Sequence, residues 1–303
     1  KLYTGNGGTQ SITFDGDTDM QADLIWIKGR SYVDDHGLFN SISGATKILY
    51  PNETNAEETY ATSLTAFGSD GFSLGSMAEV NTGSATLVSW NWKESAVSGM
   101  DLAVYTGNGT AGRTQAHSLS QKPAMIIVKG VTYAEEFEIQ HKSLGATKTI
   151  KLNGNGAAAS STNRWNNTEP TTSVFSVGDA DATNKNTYTF MAYLWSEKQG
   201  FSKFGVYSAN NNADGPFIYL GFRPAFLMVK AHSNAQDWEI FDNKRSTFNP
   251  VEKNVAANTT AAEQTDLDID FLSNGFKVRI TDDSVNNSSY SYIYAAFAEA
   301  PFV

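Results

Sequence analysis

One pattern, written three times, limits what this chain can fold into. Leu24-Ile25-Trp26-Ile27-Lys28, Met125-Ile126-Ile127-Val128-Lys129 and Phe226-Leu227-Met228-Val229-Lys230 each set four large apolar residues before a lysine. The lysines, at 28, 129 and 230, are spaced by 101 residues both times. Such runs, with no polar alternation, suit a strand covered on both faces. A buried strand recurring at a constant interval marks a tandem repeat, each copy a domain of about 100 residues.

The rest of the chain keeps the same period. Leu2-Tyr3-Thr4-Gly5-Asn6-Gly7 returns as Val104-Tyr105-Thr106-Gly107-Asn108-Gly109 and as Val206-Tyr207-Ser208-Ala209-Asn210-Asn211, each a short strand entering a turn. Leu38, Ile139 and Ile240 share one register on a following strand, and Gly44-Ala45-Thr46-Lys47 recurs as Gly145-Ala146-Thr147-Lys148. Polar loops follow, around 52–63, 153–172 and 254–265, with room for a helical turn near Ala56-Glu57-Glu58 or Ala261-Ala262-Glu263. In the next strand Phe72, Phe175 and Phe276 are expected to face inward, with Ser73, Ser176 and Lys277 toward water. Each copy closes on an aromatic strand ending near Glu94, Glu197 or Glu299. The expected fold is all-β: three antiparallel β-sandwich or jelly-roll-like domains, at 1–98, 99–200 and 201–303.

Composition removes several functions. Net charge is −10 without a basic run, which phosphate backbones would repel, so nucleic acid is not an expected partner. Cysteine is absent, which excludes disulfide scaffolds and thiolate zinc sites. No apolar run approaches the ~20 residues that cross a bilayer, so membrane insertion is not expected. The sequence carries no signal-peptide pattern and opens on Lys1, from which a fragment or processed form is expected.

The repeat also tests the motifs that look chemical. Gly107 to Thr114 fits a phosphate-binding glycine pattern, but no helical periodicity follows it. Gly71-Phe72-Ser73-Leu74-Gly75 matches a nucleophile elbow, yet Ser73 falls mid-strand and its counterpart in the third copy is Lys277. Asp15, Asp17 and Asp19 begin like a calcium loop, but Met20 and Trp26 stand where an EF-hand needs glycine and glutamate. Calcium in a simpler surface turn is the one cofactor the sequence admits. His36, His117, His141 and His232 show no ligand spacing and read as surface or loop residues. Lys28, Lys129, Lys230 and the three glutamates recur in every copy, as charges that keep strand ends soluble would. Trp165 alone among the tryptophans leaves the repeat pattern. With Asn166 and Asn167 it forms a candidate ligand-binding site for sugar or protein, and the competing reading is an anchor plugged into its own domain.

These residues also carry a likeness. The Tyr-Thr-Gly-Asn-Gly turn, the apolar strand with its lysine, Gly-Ala-Thr, Asp70-Gly71-Phe72-Ser73-Leu74-Gly75 and the closing Tyr292 to Phe302 resemble repeat domains of tailed-bacteriophage structural proteins, labelled tail fibres of marine and cyanobacterial phages. The resemblance implies a non-enzymatic virion surface protein: a tail fibre, spike or capsid decoration. Its implied partners are other virion proteins and host-surface glycan, and it carries no catalytic residues. A secreted carbohydrate-binding array and a glycan-cleaving enzyme are the alternatives, since scattered acids can be brought together by folding. Such appendages are commonly homo-oligomers. Three similar domains in one chain could instead pack around a pseudo-threefold axis, giving a monomer the outline of a trimer.

Overall fold

The computed structural model describes residues 1–299, and its regular structure is almost entirely antiparallel β-sheet. Ala300, Pro301 and Phe302, part of the phage-like closing stretch, lie outside the described residues. Each third of the chain carries a larger sheet with one strand order. In the first the order is Leu2–Thr4, Thr86–Trp92, Leu24–Gly29, Gly37–Asn40. The second runs Met100–Thr106, Thr189–Trp195, Met125–Gly130, Phe137–His141, then Lys148–Lys151 and Ala159–Ser160. The third runs Ser202–Ser208, Ser291–Ala298, Pro224–Ala231, Trp238–Asp242, Asn254–Ala256. Smaller sheets lie opposite, led by Gln10–Thr13, Arg113–Ala116 and Phe217–Tyr219, and paired to the strands of Phe72, Phe175 and Phe276.

The repeated apolar strand is buried on both faces because two cores compete for it. Ile25 and Ile27 point into the first unit's own core with Ile12, Phe72 and Leu74. Ile126 and Val128 do the same in the second, Leu227 and Val229 in the third. The alternate residues, Leu24 and Trp26, Met125 and Ile127, Phe226 and Met228, share one further core drawn from all three units. The three larger sheets therefore face one another around a common centre. Trp92, Trp195 and Phe297 stand at or next to the ends of the three closing strands and meet there edge to face, with Trp92 6.2 Å from Trp195 and 5.8 Å from Phe297 between centroids.

The contacts between units run in one direction and close on themselves. Lys129 Nζ donates to Thr54 O at 3.0 Å, Lys230 Nζ to Asn155 O at 3.1 Å, and Lys28 Nζ to Thr260 O at 3.0 Å. The same carbonyls accept the backbone N–H of Glu135, Gln236 and Asp34. In return Glu57, Ala158 and Glu263 donate their N–H to the carbonyls of Val131, His232 and Arg30. Second binds first, third binds second, and first binds third: a ring written in one chain, the geometry of a cyclic trimer.

Several expectations are corrected here. Lys28, Lys129 and Lys230 are not solvated strand ends; all three are fully buried. Each lies on the face shared by the three units, two residues beyond an axial apolar side chain, so its ammonium ends at the seam with a neighbour. Burial lowers each to about 8, while carbonyls on both sides of the seam hold the charge. His36 and His141 are not surface residues. Trp26 Nε1 donates to His36 Nδ1 at 2.9 Å, which leaves His36 Nε2–H to donate to Ala256 O and Thr259 O across the first–third seam. His141 Nε2 lies 3.2 Å from Tyr294 O across the second–third seam. The helical turns are at Ala78–Asn81, Asp181–Asn184 and Asp283–Asn286, not near Ala56 or Ala261. Glu57 and Glu263 spend their backbone groups on neighbouring units instead. Ser176 is buried rather than facing water, whereas Ser73 and Lys277 are half-exposed.

Candidate functional site

Most of the recurring polar residues end on backbone. Tyr3, Tyr105 and Tyr207 each donate the phenol to the carbonyl of Val80, Thr183 or Val285, at 2.8, 2.6 and 2.8 Å. Asn81, Asn184 and Asn286 are fully buried beside them. Asn184 accepts the N–H of Asn108 and donates to Thr110 O and Gly178 O. Asn81 and Asn286 make the equivalent bonds. The Tyr-Thr-Gly-Asn-Gly stretch is thus the outer half of a latch, and the buried asparagine is its inner half. Gly107 belongs to the fit, because a Cβ there would lie 2.1 Å from Lys185 O. The turn then enters the strand Arg113–Ala116, so no helix terminus faces a phosphate.

One repeated position departs from this pattern. Glu138 and Glu239 occupy the same register in the second and third units, where the first has Gly37. Glu138 is fully buried; Thr149 Oγ1 donates to its Oε2 at 2.5 Å and Arg164 Nε to its Oε1 at 3.1 Å. Glu239 has Asn254 Nδ2 at 2.9 Å, and burial pushes it up to about 7. Over Glu138 lies an open groove of about 680 Å³, walled by Lys151, Asn163, Arg164, Asp179 and hydroxyls of 160–162. Both Glu138 oxygens are engaged, so the carboxylate serves to hold the guanidinium at the groove's floor. The groove can offer donors and acceptors to a polar ligand. Glu138 was missed from sequence because Phe137-Glu138-Ile139-Gln140 reads as plain alternation. Its recurrence at Glu239 was the available signal.

Trp165 is not on this surface. The indole is fully buried in the second unit's core with Phe175, Val177 and Leu194, and cannot serve as a stacking platform. Gly75 N–H bonds Ser63 O and Gly178 N–H bonds Arg164 O, so Trp165 stands where the first unit has Leu64. Counting back from the phenylalanine strand gives Thr62 instead, because the loops differ in length. Leu64 begins the third strand of the first unit's small sheet; the second unit's small sheet has two strands, and Trp165 occupies that strand's core place. Asn166 and Asn167 follow in a left-handed turn, φ 52° and 48°, which lets the chain leave the core directly after the indole. The tryptophan anchors the loop that holds Arg164 over Glu138.

The remaining candidates do not assemble into sites. Asp15, Asp17 and Asp19 are exposed, and Asp15 pairs with the Lys1 ammonium. Among the described residues no three His, Asp or Glu side chains converge as a metal site. Ser73 lies within the strand Gly71–Leu74, its Oγ 3.2 Å from Ser11 Oγ. Two of the recurring glutamates organise the joints. Glu197 takes the Phe204 N–H at 2.9 Å and the Lys142 ammonium at 2.5 Å, and Glu94 is raised to about 7 by burial and by Asp101.

The chain belongs to a family described as Domain of unknown function (DUF7483), which matches residues 1–301. No curated protein and no solved structure matches it.

Proposed function

We propose that this member of the DUF7483 family is a non-enzymatic structural protein of a tailed-phage virion, a fibre, spike or capsid-decorating appendage that contacts the host surface. The resemblance of its repeat to phage structural domains supplies the class. One observation carries the reading: the chemistry-bearing residues that recur, Lys28, Lys129, Lys230 and the Tyr–Asn latches, spend their donors on backbone carbonyls and build a closed ring. Rigidity with three-fold outline suits a particle appendage, and self-association would then cluster complete rings. Mass spectrometry and immunogold labelling of purified virions test it; absence of the protein from the particle removes the proposal.

A secreted carbohydrate-binding protein is the second reading, favoured by the polar groove over Glu138. Reducing-end release from host polysaccharide would replace both readings with a glycan-cleaving enzyme.

A further inference from the structure

The third unit breaks its own repeat on the solvent side. Along Phe217–Tyr219, Ile218 points inward while Phe217 is 45% and Tyr219 60% exposed. The cross-strand partners fix the equivalences: Ile218 pairs with Phe276, Ile12 with Phe72, and Gln115 with Phe175. Phe217 therefore stands where the other units have Ser11 and Thr114, and Tyr219 where they have Thr13 and Ala116. Nothing in the fold calls for aromatic rings there, since two of three copies manage with small or hydroxyl side chains.

The space beside Tyr219 differs as well. In the second unit the loop after Ala116 folds back, and Ser118 bonds Asp101 through its N–H at 2.8 Å and its hydroxyl at 2.6 Å. The third unit has Lys203 in place of Asp101, because Asp101 pairs with Leu194 and Lys203 with Ala296 at the same step of the sheet. Its loop from Tyr219 to the central strand is shorter by two residues, Tyr219 to Phe226 against Ala116 to Met125. An open cleft of about 710 Å³ results, walled by Tyr219, Gly221, Lys203, Lys198, Gln199 and Glu197. Lys203 Nζ lies 5.1 Å from the Tyr219 ring centroid and donates to Tyr219 O at 2.8 Å, which fixes the ring at the cleft wall.

We infer that this cleft is a glycan-binding site, in which Tyr219 stacks on the apolar face of a sugar ring while Gln199, Lys198 and Glu197 bond its hydroxyls. The volume falls in the range of small-ligand sites, roughly 300–1,000 Å³. Two rings on one short strand are too little to form the core of a stable protein interface, which buries about 800 Å² per partner. An aromatic face flanked by an amide, an ammonium and a carboxylate is what a polyhydroxylated ring requires. The inference extends the host-contact part of the proposed function.

The test is a glycan array with the full chain, followed by titration of the best binder. Retention of at least one glycan is expected, with affinity reduced tenfold or more in Tyr219→Ala and kept in Tyr219→Phe. Lys203→Met, which removes the ammonium but keeps the stem, provides a second variant and should weaken binding several-fold. Melting temperatures report that each variant is folded. An array with no bound glycan overturns the inference, as does undiminished binding in both Tyr219→Ala and Lys203→Met. Recovery of a protein ligand on this face with no glycan bound overturns it too. Virion localisation is read separately, so the cleft and the appendage can fail independently.

Discussion

Lys28 donates its ammonium to the carbonyl of Thr260, 232 residues further along the chain, and that bond closes the ring. The other two seams, Lys129 to Thr54 and Lys230 to Asn155, each span 75 residues and join units already linked by sequence. The first–third seam has no such link, and among the described residues it is the one crossed by a side-chain ion pair. Arg30 of the first unit grips Glu263 of the third through two bonds of 2.7 and 2.8 Å, while within the third unit the buried Arg245 holds Asp242 at 2.5 Å. Asp242 in turn accepts Trp90 Nε1 at 3.0 Å.

Lys28→Ala should open this seam. The Asp34 and Thr260 carbonyls each lose a charged donor, a loss of about 1–3 kcal/mol, and the shortened stem leaves a hole beside it. Lys28→Met keeps the stem and removes a buried charge, so it should be the milder of the two. Chemical denaturation of both variants checks this. Equal midpoints for Lys28→Ala and the unmodified chain would show that the lysine does not hold the seam.

Stability should rise as the solution becomes mildly alkaline. Burial lowers the three lysines to about 8 from an ordinary 10.5, so between these values the unfolded chain binds more protons than the folded one. Their cost is fully present below pH 8 and is relieved as the pH climbs. Above pH 10 the buried phenols, raised in the fold, reverse the trend because the unfolded chain ionises first. At lower pH, His36 and His141, lowered to about 3 and about 4, oppose Glu94 and Glu239, raised to about 7. A denaturation midpoint that is higher at pH 9.5 than at pH 7.5 is expected, and a steady fall across that interval would contradict it.

Trp165→Ala should lower the melting temperature by several degrees. Removing a fully buried indole costs about 3–5 kcal/mol, and the loop that carries Arg164 loses its anchor. A melting temperature unchanged within a degree would mean that the side chain is free, which the packing excludes.

Gln140→Leu should stabilise the chain. Gln140 takes the core place of Phe39 and Phe241, and both polar atoms of its amide lack a partner among the described residues. An unsatisfied buried amide costs about 1–3 kcal/mol, and leucine removes that cost at similar volume. Thermal melts decide it: a lower melting temperature for the variant would show that the amide is satisfied.

The strand pattern was legible because it is local. Alternation at Phe72 and Phe276 and continuity at Leu24 to Ile27 reflect what covers each face, and both appear in consecutive residues. The site was less legible. Trp165 stood out by composition, but an isolated tryptophan among asparagines is written alike whether it caps a core or meets a ligand. Tyr219 and Phe217 went unnoticed because Phe217-Ile218-Tyr219 looks like any apolar run until the repeat's cross-strand partners assign Ile218 to the inside.

By itself the sequence determined that this chain is β-rich, built on one repeated strand, and that the strand is covered on both faces. Tertiary structure alone decided what covers the second face. Leu24, Met125 and Phe226 face a shared centre because each unit's sandwich covers only one face of its larger sheet, and the apolar faces that cover the other belong to the remaining two units. The destination of Lys28, Lys129 and Lys230 was decided there too. A lysine written after an apolar run has the same letters at a wet strand end or a dry seam. Its acceptors are backbone carbonyls, which every residue possesses, so no sequence signature marks Thr260, Thr54 or Asn155 as their partners.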